Sequence, residues 1–191
     1  MAFFNAKEAG SLKLREGLET IGEYAFCKYM GSIPLYNAHG RRYSKLTSVA
    51  LPSTVRSLGQ YAFGGSDAMT SFRFAQDSGP AEIPAGCFAA CTALREIKIP
   101  GCVEAIGDEA FDYCTALSRA DIGQGVKKLG KDVFLDCEKL ASLQLPASIE
   151  EIGPGLLRDA GTKQLTVTAA GGSRAEEYMR EKYPGVKLKV K

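Results

Sequence analysis

A chain of 191 residues with 45% hydrophobic side chains has the length and apolar content of one folded domain or one repeat array, which excludes a disordered polypeptide. Its formal net charge of +2 supplies no global attraction to nucleic acid or to an anionic membrane. No apolar run approaches the roughly 18 residues of a membrane span, so membrane insertion is not expected.

The start of the chain, Met1 to Glu8, has neither the basic n-region nor the long apolar stretch of an export signal. It does contain Phe3, the first of a series. Phe26 follows 23 residues later, and Phe88, Phe111 and Phe134 are again spaced by 23, with Leu157 in the next place. Phe63 joins the series after a 14-residue insertion on its N-terminal side and a two-residue insertion on its C-terminal side. A fixed period in this range marks a solenoid. Phe3 stands in the second half of a repeat with no first half before it, so residues 1–14 form a half repeat, and Met1 is expected to begin a fragment of a longer protein.

Each repeat opens with an alternating apolar pair that reads as a short half-buried strand: Leu12/Leu14, Val49/Leu51, Phe72/Phe74, Ile97/Ile99, Ala120/Ile122, Leu143/Leu145 and Leu165/Val167. Pro52, Pro100 and Pro146 close three of these strands, since proline lacks the N–H a ladder needs. A second apolar pair follows, as in Val103/Ile106 and Val126/Leu129. After it comes a glycine (Gly22, Gly59, Gly107, Gly130, Gly153), expected to turn a tight corner through positive φ. The ladder phenylalanine then sits on a short turn or helical turn. In the third repeat Pro84 takes the glycine slot and Cys87 the alanine slot, which predicts a different local turn.

Of the six cysteines, Cys91, Cys114 and Cys137 share one slot three residues after the ladder phenylalanine, which predicts small buried free thiols in place of a disulfide set. Cys27 and Cys102 occupy variable slots and are expected to be exposed and oxidisable. Cys87 and Cys91 lack the second ligand pair that zinc needs. At the C-terminus, Ser173 with Glu176 forms a capping box ahead of a helix over about 174–182; Pro184-Gly185 then leads into a last strand whose lysines guard a sheet edge.

The I-x-I-P, V-x-x-I-G and A-F-x-x-C segments, recurring in five or six units, resemble the BspA-like leucine-rich repeat family. The resemblance implies an α/β solenoid: a right-handed leucine-rich-repeat coil with a parallel β-sheet on one face and short turns or helical turns on the other. It divides the chain into a solenoid over 1–169 and a C-terminal helix-strand cap over 170–191. It further implies a non-enzymatic module of a bacterial cell-surface or secreted protein that binds a protein or host-surface ligand. The alternative, an intracellular scaffold or effector binding a protein partner, draws on the free cysteines and the lack of an export signal.

Two regions are candidates for contact. Residues between the strand apolars form an outward column (Lys13, Ala50, Arg73, Lys98, Asp121, Gln144, Thr166) beside a second one (Ser11, Ser48, Ser71, Glu96, Arg119, Ser142, Gln164). Arg73, Lys98 and Arg119 make a basic patch in the middle, with Asp121 beside it. A solvated sheet face is polar in any case, but repeat scaffolds also use such concave faces for binding. The second region is the insertion over about 31–44, which carries Tyr36, His39, Arg41, Arg42 and Tyr43. It is either a binding loop or a tolerated extension. His39, the single histidine, stands outside any nucleophile motif, so the residues point to no catalytic centre, metal or cofactor.

Overall fold

The structure, a computed structural model, describes residues 11–27, 29, 30, 33, 34, 46–75 and 78–191. In chain order the elements are β1 (Ser11–Lys13), β2 (Thr20–Ile21), β3 (Tyr29–Met30), β4 (Ile33–Pro34), β5 (Ser48–Ala50), β6 (Ser57–Leu58), β7 (Ser71–Arg73) and β8 (Glu82–Ile83). There follow β9 (Glu96–Lys98), β10 (Ala105–Ile106), β11 (Arg119–Asp121), β12 (Lys128–Leu129), β13 (Ser142–Gln144), β14 (Glu151–Ile152), β15 (Thr166–Ala169), α1 (Arg174–Lys182) and β16 (Lys187–Val190).

Each coil contributes one strand to each of two walls. The broad wall comprises the parallel sheets β1-β5-β7 and β9-β11-β13-β15-β16; the narrow wall comprises β2-β6 and β8-β10-β12-β14. The narrow wall arises from the second apolar pair, which places Ile83, Ile106 and Leu129 inward, each within 1% of complete burial. The third side is a wall of turns. It too is joined by backbone bonds between coils: Tyr61, Phe63 and Gly65 donate N–H groups to Ala85, Cys87 and Ala89 at 2.7–3.1 Å, and the pattern repeats one coil later.

The phenylalanine ladder runs through the interior. Phe26, Phe63, Phe88, Phe111 and Phe134 stack face to face with centroids 5.3–5.6 Å apart and ring planes within 13°. Phe72 meets Phe63 and Phe88 edge-on at 5.0 and 4.6 Å, the arrangement favoured by the ring quadrupole. One coil cannot bury these rings alone; stacking supplies the second half of each ring's surroundings.

Five expectations are corrected by the geometry. The corner glycines do not adopt positive φ. The hydrogens of Gly59, Gly107, Gly130 and Gly153 face the preceding coil: a Cβ on Gly107 would lie 2.6 Å from Ala85 N, and one on Gly130 would lie 2.6 Å from Asp108 N. The left-handed positions fall two residues later and two residues after the ladder phenylalanine, where Tyr24, Tyr61, Ala90, Glu109, Tyr113, Asp132, Asp136 and Asp159 all have φ between 51° and 56°. The third repeat keeps the common turn, because Gly86 takes the left-handed position (φ 60°) and Pro84 lies where its carbonyl still accepts from Cys87 N–H at 3.2 Å. Cys27 is buried; Cys102 is half-buried. Finally, the last solenoid strand is two residues out of the predicted frame: Val167 pairs with Leu143 and Thr168 with Gln144, so Thr168 continues the column assigned to Thr166.

All six cysteines are free. Their recurring slot is more than a small apolar space. Cys91, Cys114 and Cys137 donate their thiols to the carbonyls of Phe63, Phe88 and Phe111 at 3.2–3.3 Å, and Ser66 donates its hydroxyl to Phe26 O in the same slot. Burial pushes the Cys137 thiol up to about 12 and raises the Cys91 and Cys114 thiols as well, so they remain protonated donors.

At the C-terminal end α1 covers the last coil. Ser173 Oγ accepts Glu176 N–H at 3.2 Å, and the Glu176 carboxylate accepts Gly172 N–H at 2.7 Å, one residue before the cap. The Tyr183 hydroxyl accepts Leu157 N–H, while the Tyr178 hydroxyl donates to Gly153 O, both at 2.9 Å. Two tyrosines thus satisfy backbone groups that a further coil would otherwise meet. Strand β16 extends the broad wall in parallel beside β15, with Lys187 and Lys189 exposed at its edge.

Candidate functional site

The strand alternation that buries Phe72, Ile97 and Ala120 turns the residues on either side of them outward. In-register pairing sets Arg119 beside Glu96, and Asp121 beside Lys98, across β9 and β11. Arg73, at the end of β7, lies on the same face one coil earlier. The structure therefore brings Arg73, Lys98, Arg119 and Asp121 to the border of one cleft of about 610 Å³.

Their electrostatics differ. Arg119 Nε donates to both Asp121 carboxylate oxygens at 3.1 and 3.0 Å, and its Nη2 lies 2.8 Å from Oδ2. The Asp121 hydrogen bond and charge, helped by Glu96, hold the Arg119 guanidinium above its ordinary pKa. Arg119 and Asp121 thus satisfy each other. Arg73 and Lys98 are exposed and make no ion pair among the described residues, so they are the cations available to an incoming group.

The cleft exists because β7 and β9 share no ladder, whereas every other successive pair of broad-wall strands does. The narrow wall is interrupted at the same level, between β6 and β8. Nine residues separate Phe74 from Ile83, against seven from Leu51 to Leu58 and from Ile99 to Ile106. The ladders of both walls are interrupted beside this longer corner, while the turn wall and the Phe63–Phe88 stack remain continuous. Through the seam the core residues Phe72 and Ile97, with the half-buried Phe74, reach the cleft. Sequence reasoning singled out none of these apolar residues as surface-forming; the signal was the 25-residue spacing of Phe63 and Phe88.

The insertion's candidates Tyr36, His39, Arg41, Arg42 and Tyr43 lie outside the described residues. Of that segment, Ile33–Pro34 pairs antiparallel with Tyr29–Met30. Among the described residues no group of three or more His, Cys, Asp or Glu is placed to hold a metal ion, and no helix is long and apolar enough to cross a membrane.

Acidic groups gather on the turn wall. Burial, followed by repulsion from Glu109, Asp136 and Asp132, pushes the Asp112 carboxyl up to about 6. A carboxyl that binds its proton more tightly when folded imposes no penalty below its ordinary value of 3.8, and a full one above about 6. Asp112→Asn is therefore expected to stabilise the fold at pH 7.5 by about 1 kcal/mol, a figure discounted for solvent screening, and to give no gain at pH 4. Denaturant midpoints of the two proteins across that pH range check this.

A family model described as a BspA type leucine rich repeat region matches residues 1–39 and 40–163 in six copies. Among solved structures, a leucine-rich cell-surface protein of Faecalibacterium prausnitzii A2-165 is 24% identical, with a TM-score of 0.59 over 90% of this chain and 34% of its own. The pneumococcal vaccine antigen PcpA is 24% identical, with a TM-score of 0.67 over 81% of this chain and 36% of its own. A leucine-rich repeat protein of Eubacterium ventriosum ATCC 27560 is 21% identical, with a TM-score of 0.57 over 62% and 32%. These likenesses show the fold, and this chain spans about a third of the length of each. No curated protein matches the sequence.

Proposed function

This chain belongs to the BspA-type leucine-rich repeat family, and from that premise we propose that it is a non-enzymatic module that binds a protein or host-surface ligand through its broad wall, as part of a bacterial cell-surface or secreted protein. The observation that carries the reading is the pair of exposed cations, Arg73 and Lys98, on a wall where Arg119 is already neutralised by Asp121. Cations held on a rigid sheet and lacking a carboxylate of their own are suited to meet an acidic surface, accelerating encounter and fixing register. The extracellular setting draws on the family and on the F. prausnitzii neighbour, whose own description is a cell-surface protein.

Capture from a host surface extract tests the proposal. The double variant Arg73→Glu/Lys98→Glu is expected to recover at least tenfold less of the partner than the parent, with Lys139→Glu, on the turn side, unchanged. Equal recovery by the parent and the double variant would remove the broad-wall reading. Deletion of residues 31–44 measures separately whether the insertion, with Tyr36 and Tyr43, contributes to the same contact.

A further inference from the structure

We infer that the seam between β7 and β9 is a recognition pocket for an aromatic side chain flanked by carboxylates in an extended segment of the partner protein. This rests on the broad-wall reading above and names the chemistry the wall selects. Elsewhere the wall presents polar side chains on a continuous ladder, a surface with nowhere to insert a ring: Ser48, Ser142, Gln144 and Thr168. At the seam the ladder stops, and a cleft of about 610 Å³ opens, within the usual size of ligand sites.

The cleft has two chemical zones. Its inner surface is apolar, from Phe72, Phe74, Ile97 and Pro100. Phe74 is already in edge-to-face contact with Phe72 at 5.0 Å and with Phe88 at 6.5 Å, yet remains half-buried, so its ring offers a surface to a further aromatic group. Its border carries Arg73 and Lys98, one on each side of the seam and neither in an ion pair among the described residues, beside Glu96 and the Arg119–Asp121 pair, so that cations outnumber carboxylates there by three to two. A purely apolar ligand would leave these cations without partners, and a purely acidic one would leave the apolar surface in water. An aromatic residue between acidic residues satisfies both. Recognition of an extended chain by pockets for alternate side chains is a recurrent mode at sheet surfaces.

Gly101 provides a way to close the pocket without harming the fold. It lines the cleft, has no positive φ, and a Cβ there would meet only Gly125 N at 3.9 Å. The test is an isotope-edited NMR titration of the full chain with acetyl-Asp-Phe-Asp-amide, beside acetyl-Asn-Phe-Asn-amide and acetyl-Asp-Ala-Asp-amide. The acidic aromatic peptide is expected to shift the amides of Arg73, Phe74, Lys98 and Gly101 with a millimolar Kd, and each comparison peptide to bind at least fivefold more weakly. Gly101→Leu is expected to abolish these shifts with an unchanged melting temperature. Equal binding of the three peptides, shifts confined to other surfaces, or no shift at about 10 mM peptide would each overturn the inference. Partner capture then separates the two claims. If Gly101→Leu captures the partner as well as the parent while Arg73→Glu/Lys98→Glu does not, the pocket fails and the broad-wall reading stands. If neither variant loses capture, the broad-wall reading fails.

Discussion

Replacing Phe111 by alanine is expected to destabilise the protein by about 3–5 kcal/mol, the range for emptying a fully buried aromatic site. Phe111 is completely buried and stacks on Phe88 at 5.3 Å on one side and on Phe134 at 5.5 Å on the other, so the cavity has ring faces as two of its walls. Those walls are held from behind by backbone bonds, Phe88 N–H to Ala110 O and Phe111 N–H to Val133 O, which stop the coils from sliding together to fill the space. In a repeat array, stability is a sum over coils and the interfaces between neighbours. Truncation in the middle weakens two interfaces at once, and the whole transition is expected to shift. Chemical denaturation of Phe111→Ala beside the exposed-site variant Gln124→Ala measures this; a midpoint shift no larger than that of the control would refute the ladder's role.

The ladder was legible because its physical cause is periodic: a ring that must stack on the ring below recurs at the length of one coil. The burial of Cys91, Cys114 and Cys137 was legible for the same reason, whereas their hydrogen bonds to the phenylalanine carbonyls required the stagger between coils to be known. The left-handed positions were not legible. Tyr61, Glu109 and Asp132 carry no common signature, because the turn wall's inter-coil bonds impose the conformation on whatever residue stands there. Such residues carry a conformational cost that the surrounding ladder offsets. The two-residue frame error at Thr166 has a simple origin: Thr166, the register partner of Ser142, follows it by 24 residues, one more than the usual 23, whereas Leu165 and Val167 follow Leu143 and Leu145 by 22 and were apolar enough to pass for the strand pair. At the candidate site the sequence showed Arg73, Lys98 and Arg119 as three equivalent cations. Only the geometry reveals that Asp121 takes Arg119 out of the set, and that a break in the ladder lies between the remaining two.

Gly107→Ala is expected to cost at least about 1–3 kcal/mol, the usual penalty for an extra methyl forced into packed space. The reason is contact between coils. Gly107 has no positive φ, so alanine suits its backbone conformation, but the new Cβ would fall 2.6 Å from Ala85 N and 2.9 Å from Pro84 C. Those atoms belong to the backbone of the preceding coil and cannot rotate away as a side chain would. To relieve the contact β10 must withdraw from β8, and that weakens the bond from Gly107 N–H to Ile83 O, 2.7 Å long in the native coil. Gly101→Ala is the matched comparison: the same methyl, again without positive φ, meets nothing closer than 3.9 Å. There the loss of unfolded-chain freedom should dominate and give a small gain, about 0.4–1 kcal/mol. Opposite signs for the two glycines in thermal melts would assign the corner glycine to stacking distance. Equal effects would mean that backbone freedom, common to both, is what these positions select.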